Sequence, residues 1–157
     1  MPASPDFASE LDDISFLGRL SEALSNRIEE QTRDLFDDIG IVVPVRSCSL
    51  LTALGEAGEA SAAELARRLG QSHQLVIQKC PALLRLGLIT QHVDPADARR
   101  KMFRLTADGR DQLARITAYR ARIGAVYRQL AAEVGDVHGA ILKTLDALDA
   151  RPLRDRL

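Results

Sequence analysis

The sequence has few of the features that mark secreted, membrane-bound or catalytic proteins. Two cysteines, Cys48 and Cys80, are too few for a disulfide framework and indicate a reducing compartment. No stretch approaches the roughly 20 unbroken apolar residues that a membrane helix needs. The acidic N-terminus lacks the pattern of a signal peptide. We therefore expect a cytoplasmic protein that does not associate with membranes.

Motifs that carry chemistry are equally scarce. The sequence contains no glycine-rich phosphate loop, nucleophile elbow or HExxH motif, so we expect neither an enzymatic activity nor a cofactor. His73, His92 and His138 share no ligand spacing, so we expect no metal site. The setting of the two cysteines favours buried structural thiols. A redox-responsive role for Cys48 and Cys80 stays open as an alternative.

The near-neutral net charge of −1 conceals a strong segregation of charge along the chain of 157 residues. Residues 61–110 hold nine basic residues and only four acidic ones, a net charge of +5. Residues 1–60 hold four basic and twelve acidic residues, a net charge of −8. A basic centre beside an acidic flank favours contact between the centre and phosphates. A solvated charged surface is the alternative.

The basic centre begins with signals for two short helices. Ser61 followed by Glu64 is a capping box, which predicts the start of a helix. Gly70 can leave that helix with a positive φ angle, and Ser72 can cap the next one. The second helix is predicted to stop at Gly87. This arrangement is a helix, a tight turn and a second helix.

A ribbon of two strands is predicted to follow. Extended runs at 88–90 and 102–105 flank a charged tip at 94–101, in which Arg99, Arg100 and Lys101 are consecutive. The whole order is that of a winged helix-turn-helix, whose second helix enters the DNA major groove. A narrow minor groove attracts inserted arginine, so the wing is predicted to reach there. Asp97 is expected to fix the turn and to orient Arg99 by an ion pair.

A helical wheel divides residues 73–86 into two faces. The inward face holds four residues: Val76, Cys80, Leu83 and Leu84. The outward face holds Gln74, Gln78 and Arg85, and glutamine can form two hydrogen bonds with adenine. His73 and Lys79 are better placed for phosphates than for base edges, and the Ser72 hydroxyl can also bind the backbone.

Pro81 is unexpected within this second helix. Proline cannot donate a hydrogen bond to the carbonyl group of Ile77 and should clash with it, at a cost of about 3 kcal/mol unless the helix bends. We therefore predict a kink or local loosening between Ile77 and Pro81. A tolerated kink without functional meaning is the alternative.

Long helices are predicted on both sides of this centre. Residues 1–8 form an arm, 9–44 an N-terminal helix and its connector, 45–106 the winged helix-turn-helix, and 107–157 two helices divided near Gly135. Apolar residues recur at three- and four-residue steps before residue 40, and Ile116, Ile123, Leu130 and Val137 are spaced by seven. These stripes favour a homodimer joined by both chain ends. A bundle within one chain is the alternative.

Residues 45–113 resemble the MarR family of bacterial transcription regulators. The family pattern of Asp-x-Arg in the wing, then a strand and Leu-Thr-x-x-Gly-Arg, is matched by six residues: Asp97, Arg99, Leu105, Thr106, Gly109 and Arg110. Leu83, Gly87 and Leu88 match the preceding Leu-x-x-x-Gly-Leu. With the flanking helices, the resemblance extends over nearly the whole chain. Pro81 departs from the family, which usually has an ordinary helix former there.

The resemblance implies a mainly α-helical fold with a small β-ribbon wing and dimerisation helices at both ends. It also implies a homodimer that binds a pseudo-palindromic operator in double-stranded DNA, often as a repressor. A small aromatic ligand is expected to weaken this binding and release the protein from DNA. The alternative from another class is a winged-helix module that has lost DNA binding and acts through protein contacts.

Overall fold

The computed structural model describes residues 12–157, and these form two compact units that divide between Ile116 and Thr117. The predicted arm at 1–8 and the predicted helix start at 9–11 lie outside the described residues. The first unit contains helices α1 (Leu17–Asp38), α2 (Cys48–Ala57), α3 (Ala62–Leu69) and α4 (His73–Arg85), and strands β1 (Glu59–Ser61), β2 (Ile89–Asp94) and β3 (Asp97–Leu105). Helix α5 (Ala107–Val134) crosses the division, and α6 (Val137–Ala150) follows it.

The N-terminal helix begins later than its sequence pattern predicts. The side chain of Asp13 accepts a hydrogen bond from the backbone N–H of Ser15 at 2.8 Å and caps a 3-10 turn over Ile14–Phe16. Helix α1 starts only after that turn, at Leu17. Because a short acidic side chain that binds nearby backbone competes with helix formation, Asp13 marks the boundary.

Gly55 lies inside the next helix and does not end it. Helix α2 continues to Ala57, and Gly58 ends it with φ = 74°. A Cβ atom at Gly55 would lie 2.3 Å from Cδ2 of Leu113, so the missing side chain is what lets the start of α5 approach α2. The glycine therefore serves packing rather than termination.

The sheet has three antiparallel strands rather than the two of the predicted ribbon. The order is β1-β3-β2, and β1 pairs with β3 through Glu59↔Arg104, Ala60↔Phe103 and Ser61↔Met102. Ser61 belongs to β1 and also caps α3, with both hydrogen bonds of the predicted capping box present. The third strand therefore attaches the wing directly to the first helix of the helix-turn-helix.

The core of the first unit lies between the helices and the inner face of this sheet. Leu50, Leu51, Leu54, Leu65, Leu83, Leu88 and Val76 are the largest side chains that are almost fully buried. In the C-terminal half of α1, Thr32 and Phe36 are buried within the same unit. In the N-terminal half of α1, by contrast, Leu17, Leu20 and Leu24 remain exposed.

The second unit consists of the later part of α5, helix α6 and a terminal 3-10 turn. Gly135, with φ = 93°, divides the two helices as predicted, and Asp136 caps α6 by accepting from the N–H of Gly139 at 2.9 Å. The exposed apolar side chains include Val126, Leu130, Val134, Ile141, Leu142 and Leu145. No helix in the described part of the chain is long and apolar enough to cross a membrane.

Candidate nucleic-acid interface

Helix α4 has the start and the two faces that its sequence predicts. The Ser72 hydroxyl accepts a hydrogen bond from the N–H of Leu75 at 3.2 Å, and this caps the helix. Val76, Cys80 and Leu83 are buried, whereas Leu84 is only half-buried. The exposed residues include His73, Gln74, Gln78, Pro81 and Arg85. The predicted outward face is therefore open to a partner.

Two apolar residues that the sequence pattern does not indicate flank the exposed glutamines. Leu75 is 40% exposed and Ile77 is 43% exposed. On the helical wheel they lie on opposite sides of Gln74 and Gln78. An apolar side chain at such a position can contact the methyl group of thymine. This exposure is visible only in the folded chain, so the sequence pattern alone does not identify these two residues as possible DNA contacts.

Pro81 is accommodated without a break in the helix. Residues 73–85 form one continuous α-helix that includes Pro81. Its ring lies on the exposed side of α4. The predicted loosening therefore does not interrupt α4, and the kink stays a prediction.

Lys79 turns towards the protein rather than towards the open face. Its ammonium group donates a hydrogen bond to Oε1 of Gln71 at 2.9 Å. Burial is the main cause that lowers the pKa of Lys79, and the nearby Arg46 guanidinium adds to it. Arg46 in turn pairs with Glu29 of α1 and contacts Asn26. Lys79 is thus less available to phosphate than its position on the wheel indicates.

The wing is a hairpin with a two-residue turn at Pro95 and Ala96. Asp94 pairs with Asp97 across it, and a register irregularity lies between Val93 and Asp94. The three cations 99–101 therefore lie within β3, not in a long loop at the tip as expected. Val93 pairs with Lys101 and Asp94 with Asp97, so residues 98–100 have no partner on β2 and the regular alternation of faces is interrupted there.

The side chain of Asp97 fixes the turn, as predicted, by binding the backbone of Arg99. Its Oδ1 accepts a hydrogen bond from the N–H of Arg99 at 3.0 Å. Among residues 12–157, no ion pair joins the Asp97 carboxylate to the Arg99 guanidinium. The predicted orienting ion pair is therefore absent, and the Arg99 guanidinium is left exposed.

Arg100 is held by carboxylates on two different elements. Its Nη2 lies 3.1 Å from Oε1 of Glu64 and 3.5 Å from the Ser61 hydroxyl, and its Nη1 lies 3.5 Å from Oδ2 of Asp94. The pKa of Glu64 is lowered to about 2, first by the backbone N–H and hydroxyl of Ser61 and then by Arg100. Arg100 therefore points at the cap of α3.

The Leu-Thr-x-x-Gly-Arg motif has a structural role below the wing. The Thr106 hydroxyl donates to the carbonyl oxygen of Gly87 at 2.7 Å and accepts from the N–H of Gly109 at 2.9 Å. Arg110 donates to the carbonyl oxygen of Leu105 at 3.2 Å. The motif thus joins the end of α4, the end of β3 and the start of α5, which fixes the relation of the wing to the reading helix.

Neither cysteine lies in the environment of a reactive thiol. Burial raises the pKa of Cys48 to about 11, and burial also raises the pKa of Cys80, which is itself buried. A reactive thiol needs a lowered pKa and access to solvent. Among the described residues, no group of three or more histidine, cysteine or acidic side chains could hold a metal ion.

We expect both thiols to react slowly with alkylating agents in the folded protein. From the ordinary value of 9.0, a pKa of about 11 lowers the thiolate fraction of Cys48 about 100-fold at neutral pH. Alkylation by iodoacetamide, followed by mass spectrometry in native and denaturing buffer, measures this ratio. A cysteine that reacts equally fast in both buffers would instead support the redox alternative.

Comparisons with known proteins agree with this geometry. Residues 43–100, which include α2, α3, α4, β2 and the first part of β3, match the model of the MarR family. This central segment is therefore similar to the MarR family. No curated protein sequence matches the chain.

Solved structures extend the MarR-like fold beyond this segment. A mutant MarR from E. coli complexed with operator DNA has a TM-score of 0.64 at 16% identity, with 94% of this chain and 99% of that chain covered. PcaV from Streptomyces coelicolor, in complex with its natural ligand, has a TM-score of 0.58 at 22% identity, with 82% and 90% covered. A probable transcriptional regulator from Pseudomonas aeruginosa has a TM-score of 0.58 at 27% identity, with 87% and 96% covered. The flanking helices therefore share the fold of these solved structures.

Proposed function

We propose that this protein is a sequence-specific DNA-binding transcription regulator that acts as a homodimeric repressor on a pseudo-palindromic operator. The observation that carries the proposal is the exposed face of α4, with Gln74 and Gln78 one turn apart, in a winged helix whose β3 presents Arg99 and Lys101. This combination offers base-reading groups and phosphate-binding cations on one compact unit.

In this proposal, α4 lies in the major groove and the wing reaches the adjacent minor groove. The amide groups of Gln74 and Gln78 read adenine, and Arg85 lies on the same face. His73 and Ser72, at the exposed start of α4, contact phosphates. Arg99 and Lys101 are the wing cations available to the backbone and the minor groove.

The exposed apolar residues support a homodimer. Leu17, Leu20 and Leu24 of α1 and Leu142, Leu145 and Leu148 of α6 are each more than a third exposed in the single chain. Apolar patches of this kind mark interaction surfaces. Two copies of the chain that cover these residues would also present two reading helices to the two halves of a palindrome.

Release by a small aromatic ligand completes the proposal. Its support is the resemblance to the MarR family, together with the similarity to PcaV, whose structure holds its natural ligand. A shift of operator affinity on addition of aromatic acids to the purified protein tests this part separately.

Arg99→Ala should weaken operator binding by roughly 1–3 kcal/mol because one wing contact is lost. The melting temperature should hardly change, since the Arg99 side chain is exposed. Fluorescence anisotropy over a range of salt concentrations measures the affinity, and the affinity of the unaltered protein should fall steeply as salt rises. Arg154→Ala, whose side chain is 87% exposed in the second unit, is the matched control.

The outcome also separates this proposal from the protein-interaction alternative. A regulator binds fragments of its own promoter region more tightly than random duplex at the same salt concentration. Equal affinity for both, or no binding at low salt, would favour a winged-helix module that acts through protein contacts.

A further inference from the structure

The wing is attached to α3 through Arg100, which lies between two carboxylates that also make local capping hydrogen bonds. Oε2 of Glu64 accepts hydrogen bonds from the N–H and hydroxyl of Ser61, both at 2.8 Å, while Oε1 faces Arg100. Oδ1 of Asp94 accepts from the N–H of Ala96 at 2.9 Å, while Oδ2 faces Arg100. Each carboxylate therefore uses one oxygen for a local cap and the other for the same guanidinium.

We propose that Arg100 is a positioning residue that connects the cap of α3 to the turn of the wing and so sets the direction of the hairpin. This inference rests on the proposed function for its effect on DNA, but not for its effect on the wing. Arg100 is separated from Glu64 by 36 positions in sequence, so the contact joins α3 to the wing across a long stretch of the chain.

Charge and exposure support this role over direct contact with DNA. The side chains of Glu64 and Asp94 are 35% and 16% exposed, and both face Arg100, whose own side chain is 43% exposed. A guanidinium between two carboxylates has its charge already compensated. To contact a phosphate, Arg100 would have to break its contacts with both carboxylates. By contrast, neither Arg99 nor Lys101 is in an ion pair within the described part of the chain.

The first measurement is hydrogen exchange in the free protein. Arg100→Gln should speed exchange of the hairpin amides at 91–99 about two- to fivefold, the range expected for loss of a partly exposed ion pair. Glu64→Gln should have the same effect while it preserves α3, because glutamine also serves at this position of a capping box. Exchange of the α3 amides is therefore the internal control for folding.

Arg99→Gln is the matched control variant, since it removes the same charge from the neighbouring position of β3. It should leave exchange of the hairpin unchanged, because among residues 12–157 the Arg99 side chain has no partner carboxylate to lose. Unchanged exchange of the hairpin in both Arg100→Gln and Glu64→Gln would overturn the proposal. This result does not depend on DNA binding, so it stands even if no operator is found.

The second measurement is the salt dependence of operator binding. A cation that contacts phosphate contributes about 0.9 to the slope of log K against log salt concentration. Arg99→Gln should lower the slope by about that amount, whereas Arg100→Gln should reduce affinity two- to tenfold with the slope preserved. Glu64→Gln should weaken binding in the same way. An equal loss of slope in Arg100→Gln, or tighter binding in Glu64→Gln, would show that Arg100 contacts phosphate and would overturn the proposal.

Discussion

Gly109→Ala is expected to destabilise the protein by about 3 kcal/mol or more, which is a large part of the stability of an ordinary domain. A Cβ atom at this position would lie 1.9 Å from the carbonyl oxygen of Leu88 and 2.9 Å from its carbonyl carbon. That oxygen accepts a hydrogen bond from the N–H of Thr106 at 3.0 Å. Backbone cannot move aside as the end of a side chain can, so the junction between β2 and α5 must shift and strain this bond.

Thermal unfolding at one fixed protein concentration measures this effect, and the melting temperature should fall by about 10 °C. Gly18→Ala is the control, because nothing lies within 4 Å of its added Cβ atom and the residue is at the start of α1. That change should be neutral or slightly stabilising, by up to about 0.5 kcal/mol. Equal melting temperatures for the two variants would show that the approach of α5 to Leu88 is not needed for stability.

Leu145→Glu is expected to convert the proposed dimer into monomers. Leu145 is 53% exposed in the single chain, so a charge there should not disturb the fold of one protomer. A homodimer carries the substitution in both chains, and each unpaired carboxylate buried in the contact reduces the free energy of dimerisation by about 3 kcal/mol. Operator affinity should fall at least about 100-fold, because a single reading helix replaces two.

Light scattering on an eluting sample gives the mass of the variant directly. Lys143→Glu is the control, since it adds a negative charge on the opposite side of α6 from Ile141 and Leu145. It should remain dimeric and keep its affinity within a few-fold. If Leu145→Glu instead remains a well-folded dimer, the apolar face of α6 does not form the contact between copies.

The sequence predicts most of the helix boundaries because their signals are local. The capping box of Ser61, the left-handed Gly70 and the cap of Ser72 all appear as expected. Each depends on residues within one turn, so a single sequence contains the whole cause. The inward face of α4 follows from helical periodicity in the same way.

Features that depend on contacts between distant residues were not predictable. Strand β1 has only three residues, and its partners on β3 lie more than 40 positions away in sequence: Arg104, Phe103 and Met102. Gly55 is a second case, because the close approach of Leu113 to this position cannot be seen in the sequence.

The candidate site shows the same limit. A list of cations does not distinguish the exposed Arg99 from Arg100 and Lys79, which have partners within the protein. Their number and positions were predictable, but their availability to a ligand depends on the fold. The direction of the wing is likewise set by side chains that the motif does not include.

The bond between Thr106 and Gly87 has a mechanical consequence. Thr106, which caps α5, donates to the carbonyl oxygen of Gly87, two residues after α4 ends and two residues before β2 begins. If the first turn of α5 tilts, the C-terminal end of α4 must tilt with it or give up a 2.7 Å hydrogen bond. Movement of the first turn of α5 would therefore be transmitted directly to the C-terminal end of the reading helix.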